Sequence, residues 1–258
     1  MRTKSSFDPT VPEVPRPVIA RATDRPDGDY VAPHVHRRGQ LLTGATGVVL
    51  ATTPDGAWMM PPERGLWIPA GTLHSVHCFG RVRTQSLYFE PGSLTGMPEH
   101  CQVLAVPPLM RALLAEAAEL PKEYDPEGRD GAVMALIQQE LPRLPALPLS
   151  LPLPRDPALA HRCRAFLARP DPHDRIEDWA EALGMSRRSF TRAFRRETGY
   201  SFVAWRQQAC VLAALPRLAA GDPVTTVALD LGYDNPAAFT AMFRRTLGAP
   251  PSTYLRRA

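Results

Sequence analysis

Long apolar runs are missing from this 258-residue chain: none approaches the roughly 18 consecutive apolar residues needed to cross a bilayer, which excludes a membrane-spanning helix and a membrane partner. The opening MRTKSSFDPTVPEVPRP has basic residues but no apolar segment behind them, so no secretory signal is expected. Cysteine is sparse. Cys78, Cys101, Cys163 and Cys210 lie far apart, and without an export signal they read as reduced thiols of a cytoplasmic protein rather than a disulfide framework. Lysine is absent after residue 154, where all 16 basic side chains are arginine, the residue best suited to paired hydrogen bonds with phosphate and guanine. Apolar residues, at 44%, suffice for a sizeable core, and the length suits two domains of roughly 100–200 residues each.

Proline is abundant, at 29 residues, and marks joints. Residues 142–157, PRLPALPLSLPLPRDP, are too proline-dense for a helix and too short of N–H donors for a central strand, which predicts an extended linker. Charge changes sign across it. Up to residue 154 there are 14 basic and 16 acidic residues, and beyond it 16 and 10, so the net +4 divides into −2 and +6. A solvated basic surface would account for that excess by itself.

Downstream of the linker the sequence reads as helices with sharp punctuation. Asp174 and Glu177 have the spacing of a capping box ahead of IEDWAEALG, and Ser186 offers a cap to the next helix, which ends at Gly199. Asp222-Pro223 opens VTTVALDLG, and Asn235-Pro236 opens PAAFTAMFRRTLG. The unit is duplicated: Ala180 and Gly184 match Ala228 and Gly232 at an offset of 48, and Phe190, Phe194 and Gly199 match Phe239, Phe243 and Gly248 at an offset of 49. Phenylalanines four apart predict the buried face of each second helix. A repeated helix-turn-helix in an arginine-only region points to duplex DNA.

These residues, A-x3-G-M-S-R-R-S-F-x3-F-x4-G followed by A-x3-G-Y-x-N-x3-F-x3-F-R-x3-G-x-x-P, resemble the DNA-binding domain of AraC/XylS-family transcription regulators over about residues 160–257. The resemblance implies two helix-turn-helix units joined by a long helix, here from near Ser201 through Trp205 to Gly221, entering major-groove faces about one helical turn, ~34 Å, apart. Cys210 stands where the family usually has arginine, and Pro216 sits inside the joining helix, which is therefore not expected to be straight. The resemblance places Arg188, Thr191 and Arg192 at base-contacting positions and Arg187, Arg195 and Arg196 nearer phosphate. In the second unit Asn235, Pro236, Ala237 and Thr240 offer few hydrogen-bonding groups, leaving Arg244 and Arg245 to position rather than discriminate.

Upstream of the linker, short apolar runs between glycines and prolines predict antiparallel strands and a small barrel. His34 and His36 share a strand face, Gln40 follows, Gly47 comes next, and Pro69-Ala-Gly71-Thr-Leu-His74 arrives about thirty residues later. The pattern resembles both halves of the cupin motif, which implies residues lining a barrel around a divalent metal, with Gln40 in place of the motif's glutamate and Cys78 in place of its asparagine. Three imidazoles and an amide oxygen suit zinc, nickel, copper or iron. The same groups could instead hydrogen-bond a small-molecule effector, water or each other. Alternation along the strand turns His77 to the opposite face.

Two helices are expected at 107–120 and 131–144, with stripes Leu109, Leu113, Ala117 and Met134, Ile137, Leu141 that either close the barrel or pair two subunits. The resulting expectation is a two-domain α+β chain: a cupin-like antiparallel β-barrel domain with flanking helices at 15–142, a proline-rich linker at 143–157, and an all-α double helix-turn-helix domain at 158–258. Its function would be sequence-specific transcription regulation on promoter DNA in response to a small molecule or metal, with a homodimer and RNA polymerase as further partners and no enzymatic activity. The alternative is a metal-dependent cupin enzyme with an accessory nucleic-acid-binding module.

Overall fold

The computed structural model describes residues 6–7 and 13–254. The chain separates into two compact units, Met1–Thr53 with Trp58–Leu147, and Pro54–Ala57 with Pro148–Ala258. In the first, strands β1 (Ser6–Phe7), β2 (Val18–Arg25), β3 (Tyr30–Val35), β4 (Gly39–Gly44), β5 (Val48–Thr53), β6 (Gly56–Met60), β7 (Arg64–Ile68), β8 (His74–Phe79), β9 (Val82–Phe89) and β10 (Gln102–Ala105) precede helices α1 (Pro108–Glu119) and α2 (Arg129–Glu140) and a short strand β11 (Ala146–Leu147).

The strands form two sheets that remain separate, so the expected barrel is open. One sheet runs β11-β10-β7-β4-β9-β2, antiparallel throughout. The other runs β1-β3-β8-β5-β6, with β3, β8 and β5 antiparallel and β1 parallel to β3. Side chains alternate between the faces of β4. Leu41, with Val18, Leu87 and Phe89, packs on Met110, Leu114, Ala117, Met134 and Ile137 of the two helices, while Gln40 and Leu42 point into a cavity on the opposite face. Gly47 makes the β4–β5 turn possible. Its φ is +67°, and a Cβ there would lie 2.7 Å from the Phe79 carbonyl oxygen, so only glycine fits without strain.

The α1–α2 pair covers the outer face of the first sheet instead of closing a barrel. The α1 stripe is also shifted by one residue from Leu109 and Leu113: Met110, Leu114 and Ala117 are buried, whereas Leu109 is 53% exposed. Leu109 and Met110 are equally apolar, and packing on the sheet covers positions 110, 114 and 117, which share one helical face.

The second unit comprises strand β12 (Ser150–Pro152) and helices α3 (Pro157–Ala168), α4 (Ile176–Ala182), α5 (Arg187–Thr198), α6 (Phe202–Ala219), α7 (Val224–Asp230), α8 (Pro236–Leu247) and α9 (Pro251–Tyr254). Its core centres on the fully buried Trp179, whose ring lies 4.8 Å from Phe202, 5.8 Å from Phe166 and 6.1 Å from Trp205. Such edge-on and tilted contacts suit the aromatic quadrupole. Helix α3 was not read from the sequence. Asp156 caps it, accepting from the N–H groups of Ala158 and Leu159, and it supplies Cys163 and Phe166 to the core.

Three expectations need correction. Asp174 is not a cap: Arg175 occupies that position, and the Asp174 carboxylate accepts instead from the Trp179 indole at 2.8 Å. Asp222 is not a cap either, because Pro223 holds the position while Asp222 pairs with Arg217 at 2.8 Å. The proline-rich segment is extended but is not a free spacer. Leu149, Leu151 and Leu153 are buried, Trp205 donates to the Pro152 carbonyl at 2.8 Å, and Gln208 donates to that of Pro148. Proline accepts hydrogen bonds as well as any residue, so helix side chains satisfy a strand that cannot itself donate at those positions. Helix α6 continues through Pro216 to Ala219 as one element.

Candidate nucleic-acid interface and effector cavity

Helix α5 begins where Ser186 caps the Ser189 N–H, and it ends at Gly199, whose φ of +76° is the left-handed stop that glycine favours. Phe190, Phe194 and Thr198 bury one face. Apart from the half-buried Ala193 and Glu197 the rest of the helix is exposed, and Arg187, Arg188, Thr191, Arg192, Arg195 and Arg196 all lie there. They are not equivalent. Arg187 approaches Glu177 at 3.4 Å and Arg196 approaches Glu197 at 3.1 Å, while Thr191 turns its hydroxyl back to the Arg187 carbonyl at 2.8 Å. Among the described residues, no carboxylate pairs with Arg188, Arg192 or Arg195.

Helix α8 repeats the geometry with different chemistry. Asn235 spends its side-chain oxygen capping the Ala238 N–H at 2.8 Å, Phe239, Met242 and Phe243 are buried, and Gly248 closes the helix at φ +80°. Pro236, Ala237, Thr240, Arg244 and Arg245 line an open depression with Ala241, and both arginines are exposed. Cys210, at the usual arginine position of α6, is fully buried. Burial pushes its thiol up to about 11 and raises the Tyr233 hydroxyl as well.

The second constellation lies between the two sheets of the first unit. His34 and His74 are cross-strand partners on β3 and β8, and His36 follows β3, where its carbonyl accepts the Gly71 N–H at 2.8 Å. The three rings are buried, and their donor nitrogens all lie within 4.8 Å of one another. The His34 and His74 Nδ1 atoms lie 2.7 Å from the Ala32 carbonyl and 2.8 Å from that of Thr72. A carbonyl can only accept, so each Nδ1 carries the proton and each Nε2 of the neutral ring keeps its lone pair. Gln40, on β4, donates through Nε2 to Ser86 at 3.0 Å and Tyr88 at 3.3 Å. Among the described residues, its buried Oε1 has no hydrogen-bond partner.

These four residues surround a cavity of about 40 Å³ that also meets Arg21, Arg25 and Thr84. Ser86 and Tyr88 were missed from sequence, although Thr84, Ser86 and Tyr88 alternate along β9 and that period of two was the available signal. Arg38 was missed too. Buried in the turn between His36 and Gln40, it pairs with Glu90 at 2.8 Å and donates to the Arg16 and Val14 carbonyls, holding the turn in place. His77 faces away from the cluster and packs on Phe79. Cys78 lies on the His74 face of β8, but burial raises its thiol above the ordinary range, so it is no ready thiolate.

Together these features define a protein that joins a β-sandwich with an internal polar cavity to a double helix-turn-helix module. Comparison with known proteins makes the class specific. The AraC-like ligand binding domain model matches residues 16–182, and the helix-turn-helix domain model matches residues 179–257. The chain is similar to the HTH-type transcriptional regulator NimR of Escherichia coli (strain K12), at 34% identity over 224 residues covering 87% of this chain and 82% of that one. It is also similar to the HTH-type transcriptional regulator RipA of Corynebacterium glutamicum, at 37% identity over 114 residues covering 43% of this chain and 33% of that protein. A solved DNA-binding domain of AdpA in complex with a target DNA is 34% identical, with a TM-score of 0.36, and spans 40% of this chain and 92% of that one. The chain belongs to the AraC family of transcription regulators, with a ligand-binding domain and a helix-turn-helix DNA-binding domain.

Proposed function

We propose that the chain regulates transcription in the cytoplasm by binding promoter DNA chiefly through α5, under the control of an effector received in the cavity between the two sheets. The observation that carries this reading is the division of α5 into a buried Phe190/Phe194 face and an exposed face where Arg188, Arg192 and Arg195 have no carboxylate partner among the described residues. A guanidinium already held by a carboxylate must give up that partner to reach a base, whereas these three need not. Arg188 and Arg192, with Thr191, are assigned to base edges, and Arg187, Arg195 and Arg196 to phosphate. On α8, Asn235, Pro236, Ala237 and Thr240 provide close backbone approach, and Arg244 and Arg245 hold phosphate.

The relatives bear names of transcriptional regulators, which favours a non-enzymatic role and makes RNA polymerase the natural downstream partner. The outward face of the α1–α2 pair, with Leu109 53% and Leu136 37% exposed, supports pairing with a second copy. The test is selection of bound sequences from random duplexes by the full chain at physiological salt. A recovered motif of defined sequence is the expected result. Retention with no sequence preference, or none at all, would overturn the reading.

A further inference from the structure

The inter-sheet cavity is built for something smaller than an organic effector. At about 40 Å³ it falls far short of the about 300–1,000 Å³ of pockets for drug-sized molecules. Its lining is nevertheless rich in donor atoms. His34 and His74 both direct a protonated Nδ1 at a backbone carbonyl, the outer-shell arrangement that fixes the ring and leaves Nε2 as ligand. Gln40 has its amide nitrogen engaged by Ser86 and Tyr88 while its oxygen, in a residue only 5% exposed, has no hydrogen-bond partner among the described residues.

From this geometry we propose that His34, His36 and His74, with Gln40 Oε1, hold a divalent late transition-metal ion, namely zinc, nickel or cupric ion, and that the remaining space admits only small ligands such as water. Imidazole nitrogen selects such ions over magnesium and calcium, which prefer an all-oxygen shell. Nitrogens bound tetrahedrally at about 2.0–2.1 Å stand roughly 3.4 Å apart. The widest donor pair, at no more than 4.8 Å, therefore closes by small side-chain rotations. All four protein donors are neutral, so the ion keeps its full double charge. The assignment rests on the regulator reading only in naming the ion as the effector or its anchor.

The test uses the full chain, stripped with a chelator and then dialysed against zinc, nickel or cupric ion. One bound ion per chain is expected. His74→Ala should weaken binding by more than the roughly 10–100-fold that loss of an outer-shell partner costs, and His77→Ala, on the opposite face, should change nothing. Gln40→Glu should tighten binding by adding an anionic ligand. If His74→Ala does not fold, cobalt substitution of the unaltered chain serves instead: visible bands without a thiolate charge-transfer band match this donor set. No ion retained by the folded chain, a thiolate band, or equal affinity in His74→Ala and Gln40→Glu would overturn the site. Gel retardation of promoter DNA by the same samples reads the regulator assignment separately.

Discussion

The Trp179 indole donates to the Asp174 carboxylate at 2.8 Å, five residues upstream and just ahead of α4. Asp174 also accepts from the Arg206 guanidinium through its carbonyl, so one residue ties the start of the first helix-turn-helix to both the aromatic core and the long helix α6.

Asp174→Ala should therefore lower the stability of the helical unit by about 1.5–3 kcal/mol, the usual cost of losing a hydrogen bond to a charged group. Ordinary cap removal costs typically ~1 kcal/mol. Urea unfolding followed at 222 nm measures it, and near-ultraviolet dichroism should change because the buried indole loses its partner.

Specificity should be lopsided. Arg188→Ala or Arg192→Ala is expected to relax preference at one or two base pairs in a single half-site, each paired contact being worth about 1–3 kcal/mol of discrimination. Arg245→Ala should weaken binding to all sequences alike and reduce the salt slope by about 0.9. Sequence selection with each variant separates the two outcomes, and equal information in both half-sites would contradict the assignment.

The proline-rich arm makes a fragment boundary testable. A fragment from Pro148 should unfold at higher urea than one from Arg155, because the shorter one lacks the buried Leu149, Leu151 and Leu153 and the acceptors of Trp205 and Gln208. In the full chain, Leu151→Ala should cost about 2–5 kcal/mol, as for other buried leucines.

Thiol chemistry gives a pH signature. All four cysteines are buried and in no disulfide, and burial pushes Cys163 up to about 12 and Cys210 up to about 11. Their unfolded-state value is about 8.5. The folded chain therefore holds these protons to higher pH than the unfolded one, and the contribution to stability is fully present below about 8.5 and lost as pH rises towards 11 and 12, by up to about 1.4 kcal/mol per pH unit for each thiol. A thiol reagent at pH 8 should leave the native chain unmodified within minutes and label four cysteines after denaturation.

What could be read from sequence was local. Ser186 and Asn235 cap their helices, and Phe190, Phe194, Phe239 and Phe243 are buried, because each obeys a rule spanning four residues or fewer. The histidine cluster was legible because strand alternation and a familiar spacing converge on one face. Asp174 was misread because its partner is an indole buried by tertiary packing, which outweighs a cap available from neighbouring backbone. The stripe of α1 was displaced by one position because Leu109 and Met110 are equally apolar, and only the sheet decides which is covered. Leu149 and Leu151 were hidden among prolines, since no periodicity announces that side chains 53 and 60 residues downstream will satisfy that strand.

That long separation has a consequence during synthesis. Pro148 and Pro152 emerge from the ribosome 60 and 53 residues ahead of Gln208 and Trp205. At about 5–20 residues per second, the arm passes roughly 3–12 s without the donors that later hold it. For that interval the nascent chain presents three unburied leucines on a strand whose prolines cannot donate to a ladder, and the interruption of N–H groups is itself a defence against strand-to-strand association. The prolines that look like a spacer in the finished molecule thus act first as a safeguard on an unfinished one.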